Sequence, residues 1–192
     1  MKTFWRWTGT IFFAFAFIFL ALAGIGTSIP IWHSAKCGAE IAAPADALFR
    51  AIADDGSSAS WRPELRTVTL LSGSGPTAVW QESLKNGQEL RLHTVTYEEH
   101  MQFQRRAKIL VRVIPFDPRL GFDGTWAFFV TGSQKTGAPT RVAINEQGHI
   151  YNPLYRFLTR YVFGYTSSIR TYITELGAKF DQTPTITCVS SG

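Results

Sequence analysis

The sequence predicts an α+β domain in which a curved antiparallel sheet of about seven strands wraps around one long C-terminal helix, preceded by an N-terminal transmembrane helix. Three observations predict this. The first thirty residues are almost uncharged and apolar, residues 66–151 alternate strand-like runs with glycine- and proline-containing turns, and an amphipathic segment follows Asn152-Pro153. Strands followed by a helix in this order are typical of helices covering one face of an antiparallel sheet.

The N-terminal segment has the features of a membrane anchor. Lys2 and Arg6 precede a stretch without a charged residue before Lys36, and tryptophans stand near both of its ends. About 20 apolar residues suffice to cross a bilayer, and interfacial tryptophans are common at both boundaries. The positive flank predicts a cytoplasmic N-terminus and an exported domain. Residues 1–32 are therefore interpreted as a single-pass anchor.

A cleaved signal peptide is the alternative interpretation of the same segment. Ala21-Leu22-Ala23 is an acceptable cleavage site, and cleavage there would give a secreted protein. The apolar run continues past this site as far as Ile31, which favours an uncleaved anchor.

The strands are predicted from short runs bounded by turn residues. A first strand at 36–41 leads to a short helix opened by Pro44 and broken at 54–58, and a second short helix or turn carries Trp61. Further strands are expected at 66–71, 78–84, 89–98, 102–114, 124–131 and 140–151. Asn86-Gly87 is a strong hairpin signal between the third and fourth of these seven strands.

Period-two alternation indicates that the sheet is antiparallel with one buried face. In the strand predicted at 140–151, Val142 and Ile144 share one face. In the strand predicted at 102–114, Ile109, Val111 and Val113 share one face, and Lys108 and Arg112 lie on the opposite, solvated face. Alternation of this kind is typical of antiparallel sheets with one solvated side.

The last third of the chain predicts a long helix from Pro153 to about Phe180. Its apolar positions recur in steps of three and four. They are Leu154, Phe157, Leu158, Tyr161, Val162, Tyr165, Ile169, Tyr172, Ile173, Leu176 and Phe180. Such a helix is about 40 Å long, so its apolar face needs an equally long partner, and the sheet supplies it. A sheet gripping one long helix encloses a pocket. Residues 33–181 form the domain, and 182–192 read as a flexible tail.

Net charge and histidine spacing argue against nucleic-acid binding and against a metal site, and the two cysteines leave one question open. The net charge is +5, including Lys2 and Arg6, and the sequence has no basic stripe interleaved with aromatic residues, so nucleic acid is not an expected partner. The histidines, His33, His93, His100 and His149, lack metal-ligand spacing, so neither a metal nor a cofactor is expected. An exported domain permits a disulfide between Cys37 and Cys188, but the polar surroundings of Cys188 slightly favour unpaired thiols.

Three stretches carry a resemblance to a known superfamily. Ile41–Phe49 is similar to a strand-to-helix entry, Ser60–Pro63 to a second-helix motif, and Asn145–Phe157 to a last strand running into a long helix. Together they resemble the START-like helix-grip superfamily (SRPBCC, polyketide cyclase/dehydrase-like) over about residues 33–180. The apolar span followed by His33-Ser34-Ala35 is similar to a membrane-tethered bacterial branch. The resemblance implies the helix-grip fold, in proteins that range from lipid carriers to aromatic cyclases.

The expected function is binding of a hydrophobic small molecule or lipid beside the membrane, in a cavity between the sheet and the C-terminal helix. The predicted cavity residues are Tyr97, Trp126, Phe128, Val142, Ile144, Phe157, Tyr161 and Tyr165. Glu146 follows Val142 and Ile144 in strict alternation and is the candidate acid or base of the alternative function, a cyclase/dehydrase-type enzyme. The competing interpretation places Glu146, hydrated, at the rim.

Overall fold

The computed structural model describes residues 2–102, 105–132 and 138–192, with the side chains of 2–12, 76 and 96–107 outside the description. Helices and strands occur in the following order: α1 (Lys2–Thr27), β1 (Trp32–Ile41), α2 (Ala45–Ala53), α3 (Asp55–Ser58), β2 (Leu65–Ser72), β3 (Val79–Leu84), β4 (Glu89–Gln102), β5 (Arg105–Asp117), β6 (Phe122–Thr131), β7 (Thr140–Ile150), α4 (Pro153–Leu158), α5 (Ser167–Lys179) and β8 (Thr187–Ser191). A π-helical turn, Thr159–Phe163, follows α4.

The predicted antiparallel sheet is confirmed. Within the described residues it has eight strands in the order β2-β3-β4-β5-β6-β7-β1-β8, and all neighbours pair antiparallel. The sheet meanders from β2 to β7, and β1 then lies between β7 and the last strand. The predicted turn at Asn86-Gly87 joins β3 to β4, and Gly87 has a φ of 89°, which suits glycine.

The eighth strand corrects the prediction of a flexible tail. Residues 187–191 pair with β1, and Cys37 lies directly opposite Cys188, to which it is joined by a disulfide. The Gln182 side chain adds two hydrogen bonds to the backbone of Ala42, one accepted from its N–H and one donated to its carbonyl oxygen. A covalent link and a strand edge thus order a segment whose polar composition alone indicated fraying.

The long C-terminal helix is broken into two. The Asn152 side chain caps α4 by accepting hydrogen bonds from the N–H groups of Leu154 and Tyr155, as expected for an N-cap asparagine. After the π-helical turn the chain reaches Gly164, whose φ of 80° is incompatible with helix. The helix predicted to run unbroken to Phe180 therefore stops at this glycine and restarts as α5.

The core lies between α2 and α5 on one side and the central strands on the other. Ile169, Tyr172, Ile173 and Leu176 form the buried face of α5. They belong to one cluster with Leu48 and Phe49 of α2 and with Phe128, Val130, Val142 and Ile144 of β6 and β7. The sheet and the two helices thus bury one shared apolar core.

Helix α1 ends against α4. A Cβ atom on Gly26 would lie 1.8 Å from the carbonyl oxygen of Pro153, so only glycine permits this approach. The buried Arg156 side chain donates a hydrogen bond of 2.9 Å to the carbonyl oxygen of Ile29. These contacts fix the C-terminal end of α1 on the domain. Among the described residues, no helix is long and apolar enough to cross a membrane.

Candidate functional site

A cavity of about 330 Å³ opens between the sheet and the break that separates α4 from α5. Strands β1, β6 and β7 supply one wall, and α4, the π-helical turn and the start of α5 supply the other. Its lining includes His33, Trp126, Glu146, Ile150, Tyr155, Phe163 and Tyr165. This volume is in the range of small-molecule sites, which are concave and mostly apolar with a few polar groups.

A recess of about 70 Å³ adjoins this cavity, because Trp126 and Ile114 line both spaces, and it is called the inner end below. Phe128 lines the recess because it lies two residues beyond Trp126 on β6, and alternate residues of a strand share a face. Arg112 also lines it, directly opposite Trp126 in the pairing of β5 with β6. The prediction that Arg112 lies on the wet face of β5 is therefore wrong, and the buried neighbour on its face is Leu110.

Charged side chains at the recess are buried and paired. Arg112 forms an ion pair of 2.6 Å with Asp55, and Arg62 forms one of 2.5 Å with Glu82. Burial raises the pKa of Asp55 to about 6, although the Arg112 guanidinium opposes this increase. Burial likewise raises the pKa of Tyr172 to about 12, and the Arg62 guanidinium lies 5.2 Å from the centre of its ring.

Two further carboxyl groups, Glu64 and Glu175, lie next to Arg62. Burial raises the pKa of Glu175 to about 7, and the neighbouring carboxylate of Glu64 adds to this increase. Burial also acts to raise the pKa of Glu64, but the Arg62 guanidinium, 2.7 Å away, and hydrogen bonds to the carboxylate together outweigh burial and lower the pKa. A hydrogen bond between the two carboxyls also raises the pKa of Glu175 and lowers that of Glu64.

A different polar pair, His33 and Glu146, lines the cavity of about 330 Å³, and this part of the cavity is called the mouth below. His33 Nε2 lies 3.6 Å from Glu146 Oε1, and the imidazole stacks on the Tyr165 ring with 5.1 Å between ring centres. His33 is only 6% exposed, and Glu146 is mostly buried. His33 Nδ1 and Glu146 Oε2 are both buried without a hydrogen-bond partner. His33 and Glu146 therefore each leave one buried polar atom unsatisfied beside a largely apolar cavity.

Strand pairing and one glycine bring this pair together. In the register of β1 with β7, Ala35 lies opposite Glu146 and His33 lies opposite Gly148, so the two side chains meet diagonally. A Cβ atom on Gly148 would lie 3.2 Å from His33 Cε1 and 2.6 Å from the Asp123 carbonyl oxygen. Glycine at 148 thus leaves room for both the imidazole and the close approach of β6.

Six of the residues predicted from sequence to form the site lie at the cavity, at the recess or in the core. Trp126, Glu146 and Tyr165 line the main cavity, and Phe128 lines the recess. Val142 and Ile144 are fully buried in the core.

The remaining predicted residues lie elsewhere. Phe157 is half-buried, with its ring centre 5.1 Å from that of Tyr161, and Tyr161 is 63% exposed. The expectation that Tyr161 faces the sheet is therefore corrected: the π-helical turn rotates it outward. The side chain of Tyr97 lies outside the described residues.

His33 is the mouth residue that sequence reasoning missed, although a signal for it exists. Alternate residues of β1 are buried from Ile41 back through Ala39, Cys37 and Ala35, and the same alternation reaches His33. Interpreting the strand as starting at Lys36 cut the pattern short and left His33 outside the predicted sheet. Within the described residues, no group of three or more His, Cys, Asp or Glu side chains is placed to hold a metal ion.

Solved structures confirm the fold class. Norcoclaurine synthase from Thalictrum flavum is similar with a TM-score of 0.59 and 10% identity, covering 78% of this chain and 94% of that one. A START superfamily protein from Mycobacterium smegmatis has a TM-score of 0.55 and 13% identity, covering 78% and 97%. A protein from Thermobifida fusca has a TM-score of 0.54 and 18% identity, covering 77% and 92%. At these identities the likeness shows the fold alone.

Sequence comparison gives the family. No curated protein matches this chain. A family model described as "Polyketide cyclase / dehydrase and lipid transport" matches residues 34–164. The matched segment runs from β1 through α4 and includes most residues that line the cavity and the recess. His33, Tyr165 and the lining residues of α5 lie outside it. The chain therefore belongs to the polyketide cyclase/dehydrase and lipid transport family, and it has the START-like helix-grip fold.

Proposed function

We propose that this chain is a membrane-tethered domain that binds a hydrophobic small molecule or lipid between the sheet and the C-terminal helices. The open cavity of about 330 Å³ is the observation that carries the proposal. A cavity lined by Trp126, Ile150 and Phe163 suits an apolar ligand, because transfer of apolar surface out of water supplies the binding free energy. The family name, which includes lipid transport, supports the same class of ligand.

Exposed apolar side chains support the tether. The described part of α1 exposes Phe13, Phe15, Phe17, Ile18, Phe19, Leu20 and Ile25. Next to the cavity mouth, Tyr161, Val162 and Phe163 are also exposed, and Phe163 lines the cavity itself. Apolar patches of this extent are typical of membrane or protein contacts. A ligand leaving the bilayer would meet the mouth directly.

The proposed topology has a cytoplasmic N-terminus and an exported domain. The disulfide between Cys37 and Cys188 supports export, because such bonds persist mainly in oxidising compartments. Intact-mass measurement and N-terminal sequencing of the membrane fraction test the uncleaved anchor. A mature chain starting near Gly24 would establish the secreted alternative instead.

The ligand is tested by mass spectrometry of organic extracts from the full chain purified from membranes. Ser167→Phe places a ring in the cavity lining, and Thr171→Phe places the same ring on the exposed face of α5 as a matched control. We expect a co-purified apolar molecule in the wild type and in Thr171→Phe, and a clear loss in Ser167→Phe. Equal recovery from all three proteins would place the molecule outside the cavity and overturn the proposal.

An enzyme of the cyclase/dehydrase type is the second candidate function. The observation that favours it is the mostly buried Glu146 carboxyl, which lines the cavity and has one oxygen without a partner. Such a carboxyl can act as a general base or acid. Norcoclaurine synthase, solved in complex with dopamine and hydroxybenzaldehyde, shows that this fold also serves enzymes. Glu146→Gln should leave binding of a neutral lipid nearly intact in a carrier, whereas in an enzyme it should abolish turnover while binding and fold survive.

A further inference from the structure

His33 and Glu146 share properties that point to a ligand rather than to a structural role. Both line the same cavity, both are largely removed from water, and each retains one buried polar atom without a partner in the structure. Leaving such an atom unsatisfied costs about 1–3 kcal/mol. Two unsatisfied atoms beside one cavity are therefore unfavourable unless a ligand binds there.

The free atoms define the complementary chemistry. Glu146 Oε2 accepts hydrogen bonds when the carboxyl is ionised. When His33 carries its hydrogen on Nε2, facing Glu146 Oε1 at 3.6 Å, Nδ1 is an acceptor as well. Two neighbouring hydrogen-bond acceptors are complementary to a hydrogen-bond donor on the ligand. Trp126, Tyr165 and Ile150 surround them with apolar surface, so the rest of the ligand is apolar.

We propose that His33 and Glu146 form the polar recognition site of the cavity and take the O–H or N–H donor of an otherwise apolar ligand. This inference rests on the proposed binding function and adds the class of head group that the cavity selects. Tyr165 holds the imidazole by ring stacking, and Gly148 leaves the space that the imidazole occupies. His33 is thus a binding residue supplied by β1, whereas the alternation in β7 indicated Glu146 alone.

The test uses a pair of fluorescent probes, 2-naphthol and 2-methoxynaphthalene, which differ in the hydroxyl donor. The full chain in detergent is titrated with each, and the ratio of the two dissociation constants is compared among variants. Probe partition into detergent is common to all variants and cancels in that comparison. His33→Phe keeps a ring to stack on Tyr165 but removes both nitrogens, and Glu146→Met keeps the length of the side chain but removes its oxygens. Gln147→Ala, at an exposed neighbouring position of β7, is the matched control.

We expect the preference for 2-naphthol to fall about 10-fold in His33→Phe and Glu146→Met, and to stay unchanged in Gln147→Ala, because a hydrogen bond to a charged acceptor contributes about that factor. Affinity for 2-methoxynaphthalene should change little in any variant. Binding of both probes with the same ratio in all variants would overturn this inference and leave the proposed function intact. If neither probe binds to the wild type, this inference fails, and the co-purification experiment decides the proposed function separately. Because the two variants remove the polar atoms separately, one that fails to fold leaves the other to decide.

Discussion

The inner end and the mouth of the cavity are both polar, but they differ in how their charges are satisfied. At the inner end, Arg112 pairs with Asp55 and Arg62 pairs with Glu82 at 2.5–2.6 Å. At the mouth, His33 and Glu146 stand 3.6 Å apart, and each leaves an atom unpaired. The inner pairs come from α3, the loop after it, β3 and β5, so they join the small helices to the sheet.

This difference separates charges that maintain the fold from charges that are available to a ligand. Removing one member of a buried ion pair leaves the other charge buried without compensation, whereas removing a group that has no partner leaves no such charge behind. The inner end still offers one donor, because Arg112 Nε has no partner, but its other contacts, including a hydrogen bond from Nη2 to the Ile52 carbonyl oxygen, are structural. Mutations at the inner end should therefore mainly lower stability, whereas mutations at the mouth should mainly change ligand binding.

The largest loss of stability is expected from Arg112→Met. The substitution leaves the Asp55 carboxyl buried without its cation, so the free energy of unfolding should fall by about 3–5 kcal/mol. Urea unfolding of the full chain, monitored by tryptophan fluorescence, measures this loss. The double variant Arg112→Met with Asp55→Asn is the control and should recover part of it. A loss below about 1 kcal/mol in the single variant would mean that the inner charges are as dispensable as those at the mouth.

The next largest effect is expected from the disulfide that secures β8. Cys37 and Cys188 are 151 residues apart, and cross-linking so long a loop restricts the unfolded chain. Replacing both cysteines with serine should lower the free energy of unfolding by about 2–4 kcal/mol. Reduction of the wild type with dithiothreitol should lower it by a similar amount and should leave the double variant unchanged. Equal stability with and without reductant would show that strand pairing alone holds the tail.

The carboxyl pair beside Arg62 makes a prediction about pH. Glu175 has its pKa raised to about 7, so the folded state binds a proton more tightly than the unfolded chain. Its contribution to stability is present at low pH and is lost as the pH rises from about 4.5 to about 7. Asp55, with its pKa raised to about 6, acts in the same direction.

Glu175→Gln should therefore flatten the decline in stability over this pH interval and leave the protein more stable than the wild type above pH 7. Thermal unfolding across the pH series measures the effect, with Glu40→Gln, an exposed position on β1, as the matched control. A decline of the same steepness in Glu175→Gln would assign it to other groups.

The sequence was sufficient for the α+β class and the antiparallel sheet because their main signals are local. Alternation in β7, the turn at Asn86-Gly87 and the start of a helix at Pro153 depend on neighbouring residues, and each reappears in the structure. The break at Gly164 was less readable. A glycine inside an apolar periodic segment can be tolerated by a helix, and only the conformation, with a φ of 80°, shows that the helix stops there.

The site was less predictable because it depends on contacts between distant segments. Glu146 was found, since alternation within one strand carries it into the cavity. Its partner His33 comes from β1, more than a hundred residues earlier, and only the register of β1 with β7 brings them together. Arg112 was placed on the wrong face because its arginine type suggested water, whereas a buried partner, Asp55, allows it to lie inside.

The smallest effect on stability is expected at Tyr161, where sequence and structure disagree most plainly. An aromatic ring packed between helix and sheet costs about 3–5 kcal/mol to truncate to alanine, and the buried Phe128 should show this loss as a matched control. Tyr161 is exposed on the π-helical turn, so Tyr161→Ala should change the free energy of unfolding by less than about 0.5 kcal/mol. Urea unfolding of both variants gives the comparison. A loss of about 2 kcal/mol or more at Tyr161 would return the ring to the sheet and restore the unbroken helix that the periodicity predicted. A negligible loss would agree with a ring that lies outside the core.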